Sequence, residues 1–255
     1  MPPDPYSWSA DLETLVLVPA LAAAYWVASR FHPPPRWRAT AFAAGLALIL
    51  AVFVSPLESL SLHYLLIAHL LQNVVLAEWA PALCMLGLPT ALAARAAPSE
   101  WLRRLTHPLV ALPLWLVTYF AWHLPWAYDA ALRRPDWLLH VEHLCYFTAG
   151  SLLWWPVVHE RPRRLTSGAK AVYLFAAFVL SSPLGLLLAL LPSPVYDIYE
   201  HAPRVSSLSP LADQQIAGVT MAGEQAVVFF FACAVQFSRF LQHESGREAF
   251  RSFSR

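Results

Sequence analysis

The sequence predicts an all-α integral membrane protein: a bundle of seven transmembrane helices, N-terminus outside and C-terminus cytoplasmic. Three observations carry this expectation. The composition is 58% hydrophobic and 13% charged with 11 tryptophans, and mean hydropathy is +0.49, outside the range of soluble domains. Apolar segments of about 20 residues, enough to cross roughly 30 Å of hydrocarbon, recur along the chain. The basic residues alternate with these segments. The connections on one side hold Arg30, Arg36, Arg38, Arg95, Arg103, Arg104, Arg161, Arg163, Arg164 and Lys170, and the tail adds Arg239, Arg247, Arg251 and Arg255. The other side holds only Arg133, Arg134 and Arg204, a split of 14 to 3 among the 17 basic residues. The basic side is the cytoplasmic one.

In chain order the spans are residues 12–31, 39–56, 63–88, 107–123, 138–158, 169–191 and 214–241. The fourth, HPLVALPLWLVTYFAWH, is short and leans on interfacial Trp and Tyr. Pro19, Pro81, Pro113 and Pro183 lie within spans, where neighbouring helices can satisfy the carbonyls they free. Trp154 and Trp155, beside Pro156, read as an interfacial belt. In the third connection, SEWLRRL combines a Ser N-cap with Trp101, Leu102 and Leu105 against two arginines, the pattern of a short helix in the inner interface. Around the 12–241 transmembrane domain stand a short extracytoplasmic segment, 1–11, and a basic cytoplasmic tail, 242–255. The opening MPPDPYSWSADLE is acidic where a signal peptide is basic, so the first span is read as part of the mature protein.

A net charge of +1 supports no nucleic-acid partner. Cys84, Cys145 and Cys233 are far apart and form no CxxC, so they specify neither a disulfide framework nor a zinc site.

The candidate functional residues are polar groups inside apolar spans, each of which needs a partner or a task. His69, Gln72 and Asn73 stand in HYLLIAHLLQN. The topology brings them to the outer end together with His123, with His140 and His143, and with Asp213 and Gln214. At about 1.5 Å per residue, His69, His140 and His143 fall within roughly 10 Å of the outer boundary. His140 and His143 are three apart, so one helix face can offer both to a single ion. Gln214, Gly218 and Met221 recur at helical spacing and end in a thioether. Imidazole with soft sulfur suits copper, and Asp213 is either a ligand or an acceptor orienting an imidazole. The candidate metal ligands are therefore His69, His123, His140, His143, Asp213 and Met221. Against this stands the plainer reading that histidines near helix ends hydrogen-bond across helices, and no HExxH or spaced Cys/His motif is present. Glu142 is expected at the outer interface, His63 as a lone interfacial residue, and His32, His107, His159 and His243 as solvated or headgroup-facing groups on the inner side. Glu78 and Glu224 lie deep in their spans and require a proton, a partner or a polar cavity.

AHLLQNVVLAEWAPALCMLGLP, THPLVAL, WHLPWAYDAAL, HVEHLCYFTAGSLLWWPVV and SPLADQQIAG resemble the CtaG family of cytochrome c oxidase assembly factors, the multi-span type associated with caa-type oxidases, over about residues 55–235. The resemblance implies a seven-span protein of the bacterial cytoplasmic membrane, needed for active oxidase, with oxidase subunits as partners and copper as cargo. It carries the family's polar positions onto His69, His123, His140, His143, Asp213 and Gln214. One departure is Asn73, where members commonly show a second histidine four residues after the first; this implies a thinner metal site or a role without copper. Two other classes compete. One is a haem-binding redox protein, with His69 paired to His123 or His143. The other is a membrane-embedded metal-dependent enzyme with Asp213 or Glu142 as base.

Overall fold

The third apolar segment becomes the axis of the bundle. Of Leu66–Gly87, 67% is buried, against 11% of Thr14–Phe31 and 22% of Arg36–Val54. The computed structural model describes residues 3–9, 12–205 and 207–253, and among these there is no strand. Residues 1–2, 10–11 and 254–255 of the expected terminal segments, and the tail side chains beyond 245, lie outside the described residues.

Two peripheral helices come first, α1 (Leu12–Phe31) and α2 (Arg36–Val54). α3 (Pro56–His63) begins where the Ser55 hydroxyl accepts from the Leu57 amide, with Pro56 in the first turn, where no intrahelical N–H is missed. The axial segment is α4 (Leu66–Val74), a π-helical turn (Val75–Trp79) and α5 (Ala80–Gly87). α6 (Thr90–Ala96) and α7 (Glu100–Leu105) follow. Ser99 caps α7 as its sequence predicts, and Arg104, then Arg103, hold the Glu100 carboxyl below the ordinary carboxylate range. α8 (Pro108–Trp122) and α9 (Pro125–Leu132) meet at a 72° bend around His123 and Leu124. α10 (Leu138–Val158), α11 (Ser167–Leu190), the single turn α12 (Asp197–Glu200) and α13 (Pro210–Phe253) complete the chain. α13 does not stop at 241; it is one 44-residue helix.

Among the described residues, five helices are long and apolar enough to cross a membrane, and a sixth span is made if the bent α8–α9 pair counts as one. α10 is not among them, although its 21 residues reach about 32 Å. Large apolar side chains stand exposed around the bundle, among them Val172, Phe175, Leu190, Val219, Phe230 and Phe231. Long apolar helices with this outward face make the chain a multi-pass membrane protein.

The loops sort to two ends. At one, Ser59 donates to the Asp4 carbonyl at 2.8 Å, the Ser9 amide to Val54 at 3.0 Å, and the Tyr199 hydroxyl to the Ser61 carbonyl. At the other, Arg38 donates to the Leu86 and Leu88 carbonyls at 2.8 and 3.0 Å, and Tyr25 to the Gly87 carbonyl at 3.0 Å.

The axis is irregular for a local reason. Pro81 has no N–H to give the Ala77 carbonyl four residues back. Trp115 of α8 supplies the missing donor at 3.2 Å. Gly150 of α10 lets the helices close here, since a Cβ at that position would lie 2.3 Å from the Ala77 oxygen. The chain therefore slips into a π turn, with the Ala80 amide bonded to the Val75 carbonyl.

Two expectations are corrected. Trp154 and Trp155 do not form an interfacial belt: both are buried, Trp154 stacked on Phe229 and Trp155 donating to the Arg161 carbonyl at 2.9 Å. His159 is not solvated either. It is buried, its ring 4.7 Å from that of Trp155.

Candidate functional site

The site begins with a helix that cannot cap itself. Leu65 precedes α4 and offers no side-chain acceptor, so the first amides of α4 would be orphaned in the membrane. Asp213, at the start of α13, reaches across. Its two oxygens accept from the Leu66 amide at 2.8 Å and the Ile67 amide at 3.2 Å. Gln214 does comparable work beside it, accepting from Val195 at 2.8 Å and donating to Leu188 and Ser193. With α4 held in this way, His69 stands in its second turn with 1% of its surface exposed.

α10 packs along the axial segment and α8 with a buried stripe that includes Leu139, Glu142, Tyr146, Ala149 and Leu153. Glu142 is thus not at the interface. It has no exposed surface, and Oε1 lies 3.8 Å from His69 Nε2 and 3.2 Å from the amide nitrogen of Asn73. His140 and His143 fall on the flanks of this stripe and are only half-buried; the His143 ring lies 4.7 Å from Phe53 of α2.

His123 occupies the α8–α9 bend and is 4% exposed. Its Nδ1 lies 2.7 Å from the Tyr119 carbonyl, with the Tyr146 hydroxyl 3.1 Å from the same nitrogen. A carbonyl can only accept, so Nδ1 carries a hydrogen, and Nε2 is the ring nitrogen left for another partner. Tyrosines wall in both imidazoles. Tyr128 lies 4.9 Å from His69 and 6.0 Å from His123, and stacks on Tyr196 at 4.0 Å.

What distinguishes this interior is the number of polar atoms with nothing to bond. Both nitrogens of His69, Nε2 of His123, Nε2 of His143, Oδ1 of Asn73 and Oε2 of Glu142 are buried without a hydrogen-bond partner. Each such atom costs about 1–3 kcal/mol, and orphans gathered from α4, α10 and the α8–α9 bend point to a polar or cationic occupant. Neutral nitrogen donors with one carboxylate fit a copper ion in kind. Among the described residues, however, no group of three or more His, Cys, Asp or Glu stands ready to hold a metal.

Of the residues proposed from sequence, His69 and His123 thus share one buried wall, with His143 nearby and His140 at the rim. Asp213 has both oxygens committed to amides, and Met221 is buried in the apolar core. Sequence reasoning placed Glu142 at the outer interface and passed over the tyrosines. The 3.6-residue stripe through Leu139, Glu142 and Tyr146 was the signal available for both. Deeper in the bundle, Glu78 in the π turn accepts from Gln225 at 2.9 Å, and Gln225 also donates to the Tyr119 hydroxyl at 2.6 Å. The sequence left a buried hydrogen bond or a proton path open for this acid; the bond is present.

A family model described as cytochrome c oxidase caa3 assembly factor (Caa3_CtaG) matches residues 20–243. No curated protein and no solved structure matches the chain.

Proposed function

The chain belongs to the cytochrome c oxidase caa3 assembly factor family, and from that premise we propose that it completes a caa3-type oxidase by handling copper at its buried imidazole cluster. The observation that carries the copper step is the set of unpartnered nitrogens on His69, His123 and His143 beside the Glu142 carboxylate. Copper is cargo in this reading, bound and handed on with no covalent bond of a substrate made or broken. Imidazoles supply neutral donors, and Glu142 offsets part of the cation's charge in a low-dielectric interior. Because no three donors among the described residues are already converged, the rings must rotate towards the ion as it arrives.

The partners are oxidase subunits, and the location is a bacterial cytoplasmic membrane. Seven spans, counting α10 and the α8–α9 pair, with the basic connections inside put the cluster near the outer face, where external copper is met. A haem reading has less support, since Tyr128 packs against both His69 and His123, at 4.9 and 6.0 Å, and takes up space beside them that a macrocycle would need.

The test is complementation in a bacterium that makes a caa3-type oxidase and lacks its own copy of this gene. The wild-type chain should restore oxidase activity. His69→Ala with His123→Ala, at equal abundance in the membrane, should leave oxidase subunits present but short of copper. Full activity with the double variant would remove the cluster from the mechanism, and full activity without any copy would remove the assembly role.

A further inference from the structure

The end of the bundle that carries α3, α9 and α12 holds a cleft of about 310 Å3. Its walls are mostly apolar, with Leu62, Leu132, Ile198 and Ala202 among them, and its nitrogen donors are two imidazoles, His63 and His201. His201 is reachable from water, its side chain 75% exposed. Its Nδ1 faces the Asp197 carbonyl at 3.0 Å and the Asp197 carboxylate at 3.2 Å, which leaves Nε2 turned away. A carboxylate behind one ring nitrogen is the arrangement that orients histidines towards metals.

Two residues that line the cleft are chain neighbours of the tyrosines beside the buried cluster. Leu132 lies one helical turn beyond Tyr128 on α9, and Ile198 lies between Tyr196 and Tyr199. Those three tyrosines are 1–3% exposed and touch one another, with Tyr128 4.0 Å from Tyr196 and 6.2 Å from Tyr199. Tyr128 in turn lies against His69 and His123. One group of buried tyrosines thus adjoins the cleft-lining residues Leu132 and Ile198 along the chain and packs against the inner imidazoles.

We propose that this cleft takes up the copper cargo as Cu(I), with His63 and His201 as transient ligands and the Tyr128–Tyr196–Tyr199 group as the barrier that parts to admit it to His69 and His123. This rests on copper being the cargo of the buried cluster. The transfer is ligand exchange: one imidazole lone pair replaces another on the ion, the ion keeps its charge, and no electron or proton changes hands.

Silver(I) is the probe, and the full-length protein in detergent is the sample; uptake is followed by rapid desalting and metal analysis. The variant His63→Ala with His201→Ala should hold as much silver at equilibrium as wild type but fill at least tenfold more slowly. Ala202→Trp, which blocks the cleft and keeps both histidines, should slow filling comparably. Filling at the wild-type rate by the double-histidine variant overturns the proposal. A wild-type chain that binds no silver, or binds as much after His69→Ala and His123→Ala, defeats the copper reading and this proposal together. That result is distinct from an unchanged rate, which defeats only the uptake route.

Discussion

Asp213 has the sequence profile of a metal donor or an imidazole partner, an acid in a cluster of polar groups at one membrane level. In the fold its oxygens instead close the amide end of α4. Asp213→Ala should strand two buried amides at about 1–3 kcal/mol each, and so lower the melting temperature by ~5–10 °C without lowering copper content per folded chain. Unchanged melting, or lost copper at unchanged melting, would return Asp213 to the metal site. Glu142 errs the opposite way. A charge between two histidines suggests water, and only the helical stripe and its neighbours Asn73 and His69 reveal that it points inward. Glu142→Gln keeps the shape and removes the charge, so copper affinity should fall tenfold or more while the fold stays intact. Equal affinity would separate Glu142 from the cargo.

At the scale of elements, prolines in the sequence announced irregular helices but not which irregularity. The break between α3 and α4 falls at Tyr64 and Leu65, where neither Gly nor Pro stands. Nothing local signals it, because its cap comes from a residue 147 positions away. The π turn is similar: Pro81 is visible in the sequence, the Trp115 donor that replaces its N–H is not. These two residues should be energetically coupled. Trp115→Phe strands the Ala77 carbonyl and should cost about 1–3 kcal/mol. Pro81→Ala supplies an N–H for that carbonyl, so in the Trp115→Phe background it should recover part of the loss. Thermal melts of the two single variants and the double variant give the coupling. Strict additivity would mean the bond at 3.2 Å contributes nothing.

For the whole molecule, composition and apolar length made the membrane architecture legible. Both are summed over many residues and survive local error. The span count was less so, since α10 trades hydropathy for the site it carries and the fourth span is bent by 72°. Reporter fusions after Arg104 and Arg164 should read as cytoplasmic and one near Ser207 as external, because the 14-to-3 basic split sets orientation; reversal at two of the three would turn the bundle over and put the cluster at the wrong face. That His69 and His123 are buried was foreshadowed by their places in apolar spans, whereas the groups they pack against were decided by tertiary contacts. The account stands most directly on what the buried imidazoles hold. Copper analysis of the purified full-length protein, wild type beside His69→Ala with His123→Ala, measures this. The account predicts about one copper per wild-type chain and a loss of most of it in a variant that still folds. No copper in the wild type after loading, or the same copper in both, would contradict it.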